Sequence, residues 1–280
     1  RIANILGVGM GAPTIMEYGT PEQIQKYLKP MFTAEEIWCQ LFSEPGSGSD
    51  LASLSTRAVD DGDGYIVNGK KVWTTLGHLA KWGLLVTRTD PEAPKHRGLT
   101  FFIVDMESEG VEVRPLRQIT GEAEFNEVYF TDTKIPKENI LGGLGEGWRV
   151  SLATLMNERV AIGGNVRERG SGAPGHLVQL WKDNELDDPV QKDKLIELWI
   201  QQEAVRLTNI RASEMREKGT PGPEGSTSKL YEAEINKASY EFGMELLGNE
   251  GLLFPRGYTL TQPELNFDNE TFGFTDTQSL

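Results

Sequence analysis

The sequence predicts an α+β protein of several domains. Three observations carry that expectation. Apolar residues are spaced by three and four over the first 34 positions, alternate from about Trp38 to Leu141, and return to a helical period after Gly147. The alternating stretches are short, evenly spaced and separated by Gly/Asp turns, the pattern of a β-barrel or sandwich of about 100 residues. The composition, 38% apolar residues with 31 glycines in 280, is that of a globular chain. The expected division is a helical segment over 1–36, a central β domain over 37–144 and a helical bundle over 145–280. Both ends read as cut: Arg1 opens without Met or a signal pattern, and Leu280 closes without a capped helix.

The first segment has a start signal at Tyr18-Gly19-Thr20-Pro21-Glu22-Gln23, with Thr20 as N-cap and Pro21 in the first helical position. Ile24, Tyr27 and Leu28 then share one face. In the β region, alternation at 54–59, a turn at Asp61-Gly62-Asp63-Gly64 and alternation from Tyr65 predict paired strands. Asn68-Gly69 predicts a hairpin turn, with a strand through Lys71-Val72-Trp73-Thr74-Thr75 after it. Further strands are expected at 83–87, 98–104, 111–113 and 125–130. Helices are expected near 148–165, 188–217 and 226–247, the last two separated by Gly219-Thr220-Pro221-Gly222-Pro223.

Charge and composition exclude several classes of function. With 28 Lys+Arg against 42 Asp+Glu the net charge is −14, which disfavours nucleic acid and anionic lipid alike. No run approaches the roughly 18–20 apolar residues of a membrane span. Cys39 is the only cysteine, so no internal disulfide forms and a cytoplasmic, bacterial-type location is expected. Cys39, His78, His96 and His176 lack metal-ligand spacing, so no metal is expected. No Gly-x-Ser-x-Gly elbow is present for a serine hydrolase, and no Gly-Lys-Ser/Thr follows the glycines for a P-loop.

Three segments could carry chemistry. Phe42-Ser43-Glu44-Pro45-Gly46-Ser47-Gly48-Ser49-Asp50 is a loop whose backbone can approach a ligand closely, although read alone it is more simply an ordinary Gly/Ser loop entering a barrel. Trp73 and Thr75 share one side of a strand, where an indole beside a hydroxyl could pack on a flat heterocycle. Read alone, they are more simply a core Trp with an incidental Thr. On the helix after Gly147, Trp148, Leu152, Leu155, Arg159, Ile162 and Val166 form one stripe and Glu158 sits at its edge. A lone Glu there is ordinarily solvated.

Taken together, these motifs resemble the acyl-CoA dehydrogenase family over nearly the whole chain. The resemblance rests on Ser43-Glu44-Pro45-Gly46-Ser47-Gly48-Ser49-Asp50, Asn68-Gly69-Lys70-Lys71-x-Trp73-x-Thr75 and Arg97-Gly98-Leu99-Thr100. Pro136, Gly145-x-Gly147-Trp148, Asn157-Glu158-Arg159 and Leu247-Gly248 follow in the family's order. It implies a helical/β/helical fold, with about the first hundred residues and the last helix or so outside this chain, FAD at the β-domain surface, and an oligomer, usually a dimer of dimers. By position, Phe42 and Ser43 would lie along the isoalloxazine, Trp73 would pack on it and Thr75 would reach toward N5. Gly48 and Ser49 would sit where the pyrophosphate or the pantetheine arm passes, and Arg159 would meet the substrate.

The implied reaction is α,β-dehydrogenation of an acyl-CoA, on the fatty-acid or sterol side-chain type of substrate, with electrons passed to an electron-transferring flavoprotein or similar acceptor. Such a reaction needs fixed donors to polarise the thioester carbonyl and a desolvated base. Glu158-Arg159 matches the minority of the family that place the base on this helix, so Glu158 is the expected base. The family's Arg-x-x-Phe-Gly element is missing around 180–188, and Glu245 and Gly248-Asn249 stand where a Gln and a Gly-Gly pair are usual. Those departures support one alternative, a silent partner subunit of a heteromeric enzyme; a second, an acyl-CoA oxidase on the same scaffold, differs in letting oxygen re-oxidise the flavin.

Overall fold

The computed structural model describes residues 4–119, 123–163, 166–218 and 222–253. Two compact units are present, with described parts 4–158 and 159–253.

The first unit opens with a π-helical turn (Gly7–Gly11), then α1 (Ala12–Tyr18) and α2 (Pro21–Phe32). The start signal for α2 is realised as a capping box. Thr20 Oγ1 accepts from Gln23 N at 3.3 Å and Gln23 Oε1 accepts from Thr20 N at 3.0 Å. Tyr27 is buried, with Ile24 and Leu28 packed beside it, as the spacing predicts. The buried Asn4 amide donates to Met31 O and Glu36 O, both at 2.9 Å, and accepts from Trp38 N at 3.0 Å. It ties the end of α2 to the first strand.

Seven strands follow: β1 (Trp38–Leu41), β2 (Arg57–Asp60), β3 (Gly64–Thr75), β4 (Trp82–Arg88), β5 (Leu99–Asp105), β6 (Val111–Leu116) and β7 (Phe125–Pro136). They form one sheet ordered β1-β4-β2-β3-β7-β6, with β5 also paired to β4. β4 and β5 are buried along nearly their whole length because both faces of the sheet are covered. Trp82, Leu84, Val86, Phe101 and Ile103 join a core with α1 and α2, whereas Leu85, Phe102 and Val104 join a second core with Val67, Val128 and Phe130.

Asn68-Gly69 does not turn the chain; β3 runs straight through it. Pairing steps from Val67↔Thr133 to Gly69↔Phe130, so the irregularity is an extra residue on β7. Asn68 bonds across to it, donating to Asp132 Oδ1 and accepting from Asp132 N, each at 2.9 Å. Gly69 (φ +155°) lies so close to β2 that a Cβ would fall within 2.7 Å of Thr56 Cα. The glycine serves a close approach of backbones rather than a reversal.

Helix α3 (Gly147–Gly163) buries a different face from the predicted stripe. Val150, Ser151 and Thr154 are fully buried, Trp148 and Leu155 flank them, and Leu152 is exposed. Ser151 and Thr154 donate to the helix's own carbonyls at 2.7 and 2.9 Å, and Thr154 Oγ1 meets Thr14 Oγ1 of α1 at 3.1 Å. Small, internally satisfied hydroxyls let the helix approach closely, which apolar periodicity does not register. The side chains of Arg159 and Ile162 lie outside the described residues, and Val166 lies beyond the helix end.

The second unit contains α4 (Ala173–Asp183), α5 (Pro189–Glu217) and α6 (Glu224–Leu247). The sequence reading missed α4. Leu177, Leu195, Leu198 and Phe242 form its core, with Leu180 and Trp181 packed against it. Asp188 caps α5, accepting from Val190 N and Gln191 N at 2.8 and 3.1 Å. Among the described residues no helix is long and apolar enough to cross a membrane, and no cluster of His, Cys, Asp or Glu could hold a metal ion.

Gly69→Ala is expected to destabilise the protein by about 2 kcal/mol or more, since backbone must move to admit the methyl group. Denaturant unfolding measures it; a stability equal to wild type would show that β2 and β3 are not held this closely.

Candidate functional site

The segment after β1 and the end of β3 lie side by side. Val72 N donates to Ser43 O at 2.9 Å. One residue earlier on β3, Lys71 reaches the same segment from beneath. Its Nζ donates to Phe42 O at 3.0 Å and to Glu44 Oε1 at 2.9 Å. Both side chains are out of water, at 0% and 4% exposure.

Glu44 organises the rest of the loop. Its Oε2 accepts from Ser55 N and Ser55 Oγ, both at 2.7 Å, and its Oε1 from Thr56 N at 2.9 Å. Its backbone closes a tight turn with Ser47, with bonds of 2.8 and 3.0 Å in the two directions. Ser47 Oγ then donates to Asp50 O at 2.8 Å, and Lys95 Nζ pairs with the Asp50 carboxylate at 2.9 Å. Gly48 and Ser49 are exposed on this fixed loop, and the space around Gly46 and Gly48 is open.

Burial pushes the Glu44 carboxyl upward, but the Lys71 ammonium and the donors from Thr56 and Ser55 outweigh it and bring it down to about 2. Burial likewise pulls the Lys71 ammonium down to about 8 against the attraction of Glu44. The lowered Glu44 value favours its carboxylate, and Lys71, though lowered by burial, still carries its proton mainly at neutral pH.

Trp73 is the most unusual residue of the site. Pairing steps from Lys71↔Val128 to Thr74↔Asn126, so β3 carries an extra residue there. Trp73 adopts φ +61°, a conformation costly for a bulky side chain. Its indole is 57% exposed and touches only an edge of Phe125, at 5.9 Å between ring centres, among the ring contacts of the described residues. Thr74 turns inward and is fully buried, while Thr75 is partly exposed. Trp73 and Thr75 therefore do face outward together, as alternation predicts, and Trp73 is not a core residue.

Next to the bulge, Asn126 Nδ2 donates to Thr74 O at 3.0 Å and contacts His78 Nδ1 at 3.1 Å. Burial lowers the His78 pKa, which favours the neutral ring. The Asn126 Oδ1 and Thr74 Oγ1 atoms are buried without a hydrogen-bond partner among the described residues.

The expected site residues fall into three groups. Ser43, Gly48, Ser49, Trp73 and Thr75 lie on the two joined segments and are exposed or partly so. Phe42 points into the core, edge-on to Phe101 at 5.7 Å, so its side chain forms the floor rather than a ligand surface. Glu158 is partly exposed on α3, and the side chain of Arg159 lies outside the described residues. Sequence reasoning missed the roles of Glu44 and Lys71, which stand there only as parts of longer motifs. Parity did hold the signal: Tyr65, Val67 and Lys71 share the inward side of β3.

Residues 39–133 match the family model described as acyl-CoA dehydrogenase, middle domain, and residues 145–265 match acyl-CoA dehydrogenase, C-terminal domain. The chain is 44% identical to acyl-CoA dehydrogenase FadE34 of Mycobacterium tuberculosis, over 86% of this chain and 34% of that protein. It is 36% identical to acyl-CoA dehydrogenase IpdE1 of Mycolicibacterium smegmatis, over 91% of this chain and 67% of that one. Among solved structures, the ChsE4-ChsE5 complex from M. tuberculosis superposes with a TM-score of 0.77 at 32% identity, covering 89% of this chain and 66% of that chain. The chain thus spans a third to two thirds of the length of these relatives.

The Glu44 carboxyl sits at about 2 in the fold against an ordinary 4.5. Its stabilisation is therefore complete above about pH 4.5 and is lost as pH falls toward 2, a contribution on the order of 3 kcal/mol. Thermal unfolding between pH 5 and 3 is expected to show a falling midpoint with a shallower slope in Glu44→Gln. Equal slopes would place the acid lability elsewhere.

Proposed function

The chain belongs to the acyl-CoA dehydrogenase family, and from that premise we propose that it is the flavin-binding, substrate-oxidising part of an FAD-dependent acyl-CoA dehydrogenase. The observation that carries the reading is Trp73: a strained, outward-facing indole on a bulge, joined to Ser43 through the Val72–Ser43 bond. Residues held in costly conformations cluster where a ligand needs them. A flat apolar surface beside the hydroxyls of Ser43 and Thr75 fits an isoalloxazine, and the open backbone at Gly46 and Gly48 fits a polar chain passing close.

In this reading Ser43, Trp73 and Thr75 hold the flavin ring, and Gly48 and Ser49 border its pyrophosphate or the pantetheine of the substrate. Bound FAD supplies the hydride acceptor for the β-carbon of the acyl chain. Glu158 takes the α-proton onto its carboxylate, and Arg159 beside it in sequence meets the substrate. The three domains, 1–36, 37–144 and 145–280, are part of the same proposal. FadE34 and IpdE1 are named as acyl-CoA dehydrogenases, and ChsE4-ChsE5 is named as a complex. An oligomer with itself or with a related chain is supported by exposed apolar residues on α5 and α6, among them Ile200, Leu207, Leu230 and Tyr231.

A specific observation favours a second reading, that of a partner subunit without turnover of its own. Where the family carries Arg-x-x-Phe-Gly, Leu180 and Trp181 pack against the core of the second unit and Asp188 caps α5. Anaerobic titration with acyl-CoAs, following the flavin spectrum of the chain alone and with a related chain, separates the two. Bleaching alone supports the first reading, and bleaching only with the partner supports the second.

Glu158→Gln is expected to keep FAD and to lower kcat about a hundred- to ten-thousand-fold, the usual contribution of a general base. Near-normal turnover would place the base elsewhere. Trp73→Ala is expected to weaken FAD binding at least about tenfold, a loss of about 1.4 kcal/mol. Unchanged FAD occupancy on gel filtration would remove Trp73 from the flavin surface.

A further inference from the structure

Lys71 and Glu44 are not used by the reading above, and their burial needs a reason. A lysine taken wholly out of water is costly, and two apolar side chains of similar volume commonly stabilise a fold as well as a buried ion pair does. What apolar packing cannot do is direct charge-assisted hydrogen bonds at fixed atoms. This pair makes five. Lys71 holds Phe42 O and Glu44, and Glu44 holds Ser55 N, Ser55 Oγ and Thr56 N. The bonds join three separate stretches: the loop from Phe42, the entry to β2, and β3 just before its bulge.

The placement is specific. Phe42 precedes Ser43 by one residue, and Lys71 precedes Trp73 by two. Between those points Val72 N binds Ser43 O at 2.9 Å. The pair therefore lies directly beneath the link that sets Ser43 against Trp73. A bulged residue at positive φ has no ladder partner to fix its direction, so its aim depends on the residues anchored on either side.

We infer that Lys71 and Glu44 are a positioning pair, which through Phe42 O and the Val72–Ser43 bond holds Ser43 and Trp73 in register to receive the flavin ring. The inference rests on the flavin reading of those two residues. Neither member of the pair touches the cofactor.

The test uses the full chain, with its partner subunit if it needs one. FAD affinity is measured by quenching of flavin fluorescence, the flavin environment by the visible absorption spectrum, and fold stability by thermal unfolding without added FAD. Lys71→Met removes the ammonium but leaves Glu44 its other three donors; Glu44→Gln keeps an acceptor at the same volume. Each is expected to raise the Kd for FAD at least about tenfold and to alter the fine structure of the visible band. The double variant is expected to be no worse than the poorer single one, because both changes break one unit.

A lowered melting temperature with unchanged Kd and spectrum would overturn the inference and leave the pair as a stability element. Additive losses in the double variant would overturn it also. If Lys71→Met does not fold, Glu44→Gln decides the matter on the same readouts. Failure of the wild-type protein to bind FAD would instead remove the flavin reading itself, a result visible before any variant is compared.

Discussion

A lysine ammonium that water cannot reach must find its solvation inside the protein, and Lys71 finds it in Phe42 O and the Glu44 carboxylate. The consequences spread outward. Glu44, satisfied by four donors in all, fixes the turn through Ser47, and that turn presents Gly48 and Ser49 on a rigid base. On the other side β3 is pinned where it departs from regular pairing, and Trp73 is turned outward at a conformational cost the surrounding bonds sustain. One buried contact thus couples the Gly46–Gly48 loop to the strained, outward-facing Trp73.

That contact is possible because the sheet has two covered faces. β4 and β5 send alternate side chains into two separate cores, one roofed by α1 and α2 and one enclosed by the sheet itself. Protein on both sides lowers the local dielectric, which strengthens the ion pair and raises the cost of breaking it. The two bulges between β3 and β7 have opposite sense, with an extra residue first on β7 and then on β3. The second restores the register that the first displaces, so the ladder ends in step and only Trp73 and its neighbours are re-aimed.

The departures from expectation all fall on polar or small residues. Asn68-Gly69 carries the composition of a turn, but Asn68 spends its amide on Asp132 and Gly69 admits the backbone of Thr56. The apolar stripe on α3 is legible, yet the buried face follows Ser151 and Thr154, whose hydroxyls are satisfied within the helix. The burial of Lys71 is not legible locally, because its partner stands 27 residues away. Asn68, Gly69 and Lys71 are accommodated by neighbours distant in sequence, which no local pattern encodes, whereas Ser151 and Thr154 are satisfied four residues back by bonds that apolar periodicity does not register.

By itself the sequence determined the order of helical, β and helical regions, most strand and helix positions, the cap at Thr20 and the family, because periodicity, turn chemistry and motif order are properties of adjacent residues. It also determined that Trp73 and Thr75 face the same way, since a strand alternates whatever it packs against. Only the tertiary structure decided that this face is outward, that Phe42 is floor and Ser43 surface, and that Lys71 and Glu44 meet beneath them. Burial and ion pairing are settled by what the remainder of the chain brings alongside, and here that is the crossing of the Phe42–Ser47 loop with the end of β3.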